Sequence, residues 1–214
     1  MAGDAACSSA APDSAFAFVG GPCCPTLEFV IVFWIMITFY TMLTSLFCII
    51  LLQETHFIEK NESIYNSCWF GKSYHCFSDS QYSRGVSILF RKNLPIHVIN
   101  VHKSIDGRRI LINFQYDDKK ITIVNAYAPN NVKERIDFFK RVKTWTNQLT
   151  CNKENILIAG DMNCTLDNIT KNTDRSSHTL KKLLDDLDLI DLWPNFKTDP
   201  GFTCTWCDGM NTPK

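Results

Sequence analysis

Three stretches of the sequence carry side chains whose types and spacing could do chemistry. Asp161 and Asn163 stand two residues apart, directly after the apolar run Ile156 to Ala159 and Gly160. A short unbroken apolar run reads as a strand buried on both faces. Open α/β sheets place ligand chemistry just beyond such strand ends. A carboxylate and a carboxamide there can act together on a metal, a water or a phosphate. Gly160 would let the backbone turn sharply and approach a ligand. The same residues also fit a plain strand followed by an Asp/Asn turn. Glu54 repeats the theme, following the apolar run that ends at Leu52-Gln53. It suits Mg²⁺, which favours one or two carboxylates plus waters and phosphate oxygens, and it equally suits a solvated strand end. His56 reads as a surface or packing residue. Tyr127 lies in Asn125-Ala-Tyr-Ala-Pro-Asn130. Its phenol could bond a phosphate oxygen or simply cap the sheet.

Elements must hold these groups in place. Val86 to Phe90 alternates and predicts a half-buried strand. Pro95 to Val101 is another strand, and Asp106-Gly107 marks a tight turn. Ile110, Ile112 and Phe114 alternate, as do Ile121 and Ile123, with Tyr116-Asp-Asp-Lys119 as a hairpin turn between them. Residues 86–126 thus read as antiparallel strands leading into Tyr127. Val132, Ile136, Phe139, Val142 and Trp145 recur at helical spacing, so 132–149 is an amphipathic helix packed on the sheet. His178 to Leu189 predicts a second helix with Leu180, Leu183, Leu184 and Leu187 inward, closed by Asp191-Leu-Trp193. Residues 58–83 read as loop with short strands, and Phe202 to Trp206 as one more strand.

The chain has 214 residues, with 22 basic and 22 acidic side chains and no formal net charge. That length is enough for one domain with a sizeable core. Residues 1–52 hold no Lys or Arg and only Asp4, Asp13 and Glu28, leaving 22 basic against 19 acidic beyond them. This modest positive balance is compatible with a phosphate-rich partner. Of the ten cysteines, Cys204 and Cys207 form the single CxxC, which lacks the second pair of a zinc site. They read as ordinary thiols of an intracellular protein.

Residues 1–26 are rich in Ala, Ser, Gly and Pro and read as a disordered leader. Residues 27–46 form an apolar segment, uncharged from Phe29 onward through Leu52. The uncharged run is long enough to cross a bilayer, which takes about 20 apolar residues. If it spans, the basic residues downstream place the remainder, 47–214, on the cytosolic side. Alternatively Leu46 to Leu52 is a buried strand of the globular domain.

In order, Leu-Gln-Glu54-Thr, Asn-Ala-Tyr127-Ala-Pro-Asn and Ile-Ala-Gly-Asp161-Met-Asn163 resemble the motifs of the endonuclease/exonuclease/phosphatase superfamily. Gly85-Val-Ser-Ile-Leu-Phe, Asp188-Leu-Ile-Asp-Leu-Trp193 and Phe202-Thr-Cys-Thr-Trp206 look like the apurinic-type endonuclease domain of LINE-type (non-LTR) retrotransposons. The resemblance covers roughly Ile49 to Lys214. It implies an α/β fold, a four-layer sandwich like that of deoxyribonuclease I, here incomplete and preceded by the apolar segment. It also implies metal-dependent hydrolysis of DNA phosphodiesters. Glu54 would hold Mg²⁺, with Mn²⁺ as a substitute. Asp161 would orient or deprotonate the attacking water. Asn163 and Tyr127 would hydrogen-bond the phosphate, while Asn130 and Trp206 would contact DNA.

Two family features have no counterpart in the sequence. These are the opening strand that ends in a metal-binding Asn, and the closing Ser-Arg-Ile-Asp-type segment with its later Asp-His pair. The expectation is therefore a truncated retroelement endonuclease with impaired activity. A non-catalytic membrane-anchored scaffold and a phospholipid phosphodiesterase of the same superfamily are the competing readings. Asn163-Cys-Thr165 and Asn168-Ile-Thr170 are glycosylation sequons. A glycan on Asn163 would block the site, which favours nucleus or cytoplasm.

Overall fold

The computed structural model describes residues 15–20, 29–32, 48–79, 82–150, 155–164, 166 and 174–191. Among the described residues, ten strands form two sheets. The strands are β1 (Ala15–Gly20), β2 (Phe29–Val32), β3 (Ile49–Gln53), β4 (Gly71–Cys76), β5 (Val86–Arg91), β6 (Ile96–Lys103), β7 (Arg109–Tyr116), β8 (Lys119–Tyr127), β9 (Ile156–Asp161) and β10 (Ile190–Asp191). The large sheet runs β10-β1-β9-β8-β7-β6 and the small one β2-β3-β5-β4. A 3₁₀ turn at Glu59–Asn61 and helices α1 (Glu62–Ser67), α2 (Val132–Leu149) and α3 (Arg175–Asp186) complete the described elements.

Strand alternation explains how the layers meet. On β8, Val124 and Ala126 face one way, and Ile123 and Tyr127 the other. The first pair joins Ile156 and Ile158 of β9 in a core with Phe138, Phe139 and Val142 of α2 and Leu180, Leu183 and Leu184 of α3. The second pair joins Ile49 and Leu51 of β3, Ile88 and Phe90 of β5, and Leu157 and Ala159 of β9 between the sheets. Burying each such side chain contributes about 1.5–3 kcal/mol. The described residues thus show three layers of the expected sandwich: helices, large sheet and small sheet. Strands β8 and β9 are parallel, so their connection must cross over, and α2 supplies the crossing.

Several expectations change. Val86 to Phe90 is buried on both faces rather than half-buried, because β5 is a central strand of the small sheet. Its polar member, Ser87, is buried but bonded to His75 (Oγ to Nδ1, 2.7 Å). Helix α1 occupies part of the stretch read as loop and strand. Helix α3 begins and ends three residues earlier than expected, and Asp191 belongs to a strand. The leader contains β1, paired antiparallel with β9 and β10. Within the apolar segment, Phe29–Val32 is a strand parallel to β3. Among the described residues no helix is long and apolar enough to cross a membrane. Residues 33–47, the Asn168 sequon and Phe202 to Trp206, including Trp206, lie outside the described residues.

The inward face of α2 is also redistributed. Arg135, Phe138, Phe139, Val142 and Thr146 are its buried residues, while Val132 is exposed. Arg135 can turn inward because its guanidinium makes four hydrogen bonds there. It donates to the carbonyls of Pro129 (3.0 Å) and Asn130 (2.8 Å), to Ser176 Oγ (2.7 Å) and to Asp174 Oδ2 (2.6 Å). Asp174 also caps α3, accepting from Ser176 N (2.8 Å). Burial alone would raise the Asp174 carboxyl, but the Ser176 bonds and Arg135 outweigh it and hold it below its ordinary value. Asn131 caps α2 by accepting from Lys133 N and Glu134 N, an arrangement worth about 1 kcal/mol.

Candidate active site

The candidate site lies where β3, β8 and β9 end. Residues 125 and 127 share the face of β8 that looks at the small sheet, and the parallel register sets Tyr127 opposite Asp161. Asn125 does the work of alignment. Its Nδ2 donates to the carbonyls of Leu52 and Ser87, both at 2.9 Å, and its Oδ1 accepts from Gln53 Nε2 at 2.5 Å. This buried amide ties the large sheet to two strands of the small one, one residue before Glu54. Its alternation with Tyr127 was visible in the sequence; its partners, 38 to 73 residues away, were not.

Glu54 leaves β3 with a positive φ of 50° and His56 follows at 54°. Non-glycine residues adopt such values rarely, and they cluster at functional sites. The turn brings the half-buried Glu54 carboxylate to Tyr127, whose hydroxyl donates to Glu54 Oε1. Burial, this bond, and the charges of Glu54 and Asp161 push the Tyr127 phenol well above its usual value. It therefore stays protonated and remains a donor.

Asp161 is almost fully buried. Its Oδ1 accepts the backbone N–H of Asn163 at 2.9 Å, and Asn163 Nδ2 donates to Ala128 O at 2.7 Å. Asn163 has φ 49°, a value its short side chain tolerates. The φ of Gly160 is +135°, and an added Cβ would lie 1.9 Å from Ala126 O. Glycine therefore permits a close approach to the neighbouring strand. The structure thus brings Glu54, Tyr127, Asp161 and Asn163 together. Asn130 is exposed, with its carbonyl held by Arg135; its side chain is not gathered into this cluster.

The donors fit a hard divalent cation. Glu54 and Asp161 are carboxylates on either side of one tyrosine, and Mg²⁺ is commonly held by one or two carboxylates with waters and substrate oxygens. Gln53 Oε1, next to Glu54 in the chain, is a buried oxygen without a hydrogen-bond partner among the described residues.

Two sheets face to face, helices on the large sheet and a carboxylate-tyrosine-carboxylate group at the strand ends define a deoxyribonuclease I-like α/β protein. The chain belongs to the Endonuclease/Exonuclease/phosphatase family, whose sequence profile matches residues 11–212. It is 30% identical over 147 residues to the transposon TX1 uncharacterized 149 kDa protein of Xenopus laevis. That match covers 66% of this chain and spans only 11% of the relative's length. Among solved structures, the endonuclease domain of TRAS1, a telomere-specific non-LTR retrotransposon, superposes with a TM-score of 0.54 at 14% identity. It covers 73% of this chain and 70% of that one. The catalytic domain of Xenopus laevis APE2 gives 0.53 at 17% identity, covering 71% and 66%. At these identities the likeness establishes the fold.

Proposed function

We propose that the chain is the endonuclease portion of a LINE-type retroelement protein and hydrolyses DNA phosphodiesters with a divalent cation. The observation that carries this reading is the convergence of Glu54, Tyr127 and Asp161, with Tyr127 bonded to one carboxylate and in register with the other. Glu54 would hold the cation, with Asp161 nearby. The cation supplies charge neutralisation at the phosphate oxygens, where phosphoryl transfer concentrates negative charge.

The remaining work falls to the chain's own groups. Asp161 takes a proton from the attacking water, the base role that a fixed carboxylate performs. Its bond from Asn163 N keeps one oxygen in place. The Asn163 amide uses one N–H on Ala128 O and has a second for a phosphate oxygen. Tyr127 orients Glu54 and, once substrate enters, can turn its hydroxyl toward the phosphate. Asn130 and Trp206 remain proposed DNA contacts. The transposon relative and the retrotransposon and APE2 folds favour a nucleic-acid substrate over a lipid headgroup. A nuclear or cytoplasmic site of action agrees with Asn163 being committed to the site rather than to a glycan.

Nicking of supercoiled plasmid in Mg²⁺ by the full chain, compared with Asp161→Ala, tests the proposal. Nicking by the wild type and none by the variant is the expected result. Release of a phosphorylated headgroup from vesicles without nicking would transfer the assignment to the lipid branch. Neither activity, with a folded chain on membranes in fractionation, would support the scaffold reading.

A further inference from the structure

We propose that the pocket between helix α2 and the start of β7 is a docking site for an acidic peptide of a protein partner, whose Asp or Glu carboxylate seats on Arg109 and Arg141. The inference goes beyond the hydrolysis reading and does not depend on it.

The pocket lies behind the sheet that carries the candidate active site. Arg109 stands opposite Ala126 in the β7–β8 register, and directly opposed residues share a face of a sheet. Ala126 packs with α2, whereas Tyr127 packs toward the small sheet. Arg109 therefore reaches under α2, away from Glu54 and Tyr127. On the helix, Arg141, Thr144, Trp145 and Gln148 recur at spacings of three and four and share one stripe. Together with Arg109 and Lys140 they line a concave cavity of about 360 Å³. That is the size of a small-ligand pocket and admits a side chain rather than a duplex.

Arg109 is the buried member of this lining, only 9% exposed. Its guanidinium carbon lies 5.4 Å from the centre of the Phe138 ring and 5.3 Å from that of Trp145. The rings hold the planar group by cation–π attraction but supply no acceptor in its plane. Its Nε is buried and has no hydrogen-bond partner among the described residues. Asp106 Oδ2 approaches Nη2 only to 3.7 Å, too far for a hydrogen bond. The other oxygen of that carboxylate already accepts from Ser104 Oγ (2.6 Å) and Arg108 N (3.3 Å). Arg141 is exposed and forms no ion pair among the described residues, and Lys140 pairs with the exposed Asp137 at 3.5 Å. Three cations thus face one partly engaged carboxylate and one solvated one. A buried donor left without an acceptor is costly, and something must complete it. A carboxylate does so best, because its two oxygens match a guanidinium fork. Trp145 offers an apolar wall for the neighbouring residue of the same peptide, and Arg and Trp are the residues that anchor protein interfaces.

The test is binding of the full chain to a fluorescein-labelled, end-blocked peptide of alternating Glu and Leu, followed by anisotropy. A Gln-Leu peptide and a short DNA serve as comparisons. The Glu-Leu peptide should bind about tenfold tighter than the Gln-Leu peptide, and Arg141→Gln should remove about that factor. Lys120→Gln takes an equal charge from the β7–β8 turn and should change nothing. Arg109→Lys keeps the charge but loses the fork, and should also weaken binding while melting as a folded protein. The Arg109 Nε–H resonance, assigned with that variant, should shift when the Glu-Leu peptide is added. No preference for Glu over Gln, an equal loss with Lys120→Gln, or an unmoved Nε–H resonance would overturn the proposal. Displacement of the peptide by DNA, with Arg141→Gln weakening both alike, would assign the pocket to nucleic acid instead. Arg141→Gln should nick plasmid in Mg²⁺ as the wild type does, and a loss of nicking would overturn the separate role. A wild type that binds the peptide as described yet never nicks keeps the pocket and loses hydrolysis.

Discussion

Two arginine-bearing regions lie within a few residues of the same loop and are built to opposite rules. On the α2–α3 flank, Arg135 places its donors on two carbonyls, a hydroxyl and a carboxylate. Its charge is consumed by the protein, and the loop from Pro129 to Asn130 is fixed as a result. At the strand ends, Arg84 and Arg108 form no ion pair among the described residues and stand next to positive-φ residues and two clustered acids. The first region is satisfied and the second is held poised. Buried polar groups that are fully paired serve specificity of folding, whereas groups left short of partners mark places where a ligand completes the set.

Substitutions can break or sharpen this contrast. The largest expected effect is at Arg135. Arg135→Leu strands Asp174 without its partner and should lower stability by about 3–5 kcal/mol. Urea denaturation would reveal it, and an unchanged midpoint would mean the pair is structurally idle. Asp161→Asn should act in the reverse sense. Nicking should fall about 10²- to 10³-fold, while the melting temperature stays level or rises, because a buried carboxylate has been neutralised. A large melting loss at Asp161 would erase the distinction between the two regions.

His75 offers a smaller effect, read through pH. Burial, and then the nearby positive charge of Lys103, push its imidazole down to about 4 from an ordinary 6.5. The folded chain therefore holds it neutral, with Nδ1 at Ser87 Oγ and Nε2 at Asn66 Oδ1. The unfolded chain binds the proton more readily, so His75's contribution is complete above about pH 6.5 and is lost as pH falls toward 4. Stability should drop by about 2 kcal/mol between pH 7 and pH 5 from this residue. Thermal melts of the wild type against His75→Gln at those two pH values should differ by that amount. Parallel pH curves would remove His75 from the account. The smallest effect belongs to Ile105, 96% exposed at the tip of the β6–β7 hairpin. Ile105→Ser should change stability by less than about 0.5 kcal/mol, and a larger shift would show that the tip contributes to folding.

Much of the fold was legible because it rests on local periodicity. The alternation of β6 to β8, the Asp106-Gly107 and Asp117-Asp118 turns and the eighteen residues of α2 follow from side-chain spacing alone. Helix α1 was hidden by a short polar stretch with no apolar stripe, and the burial of Arg135 by the ordinary expectation that charge faces water. The strand at Phe29–Val32 was masked by hydrophobicity, which describes a membrane span and a strand of a sheet equally well.

The sequence alone determined which residues could act: an acid at the end of one apolar run, Asp161 and Asn163 at the end of another, and a tyrosine between them. Side-chain chemistry and strand ends are local properties, and a single chain displays them. Only the tertiary structure decided how those residues meet. Asn125 stitches the sheets, the β8–β9 register sets Tyr127 against Asp161, and the turn after β3 delivers Glu54 to the same phenol. Those relations depend on pairing between segments dozens of residues apart, fixed by the packing of two sheets. The same packing turned Arg135 inward onto Asp174 and laid Arg108 over the Tyr127 ring.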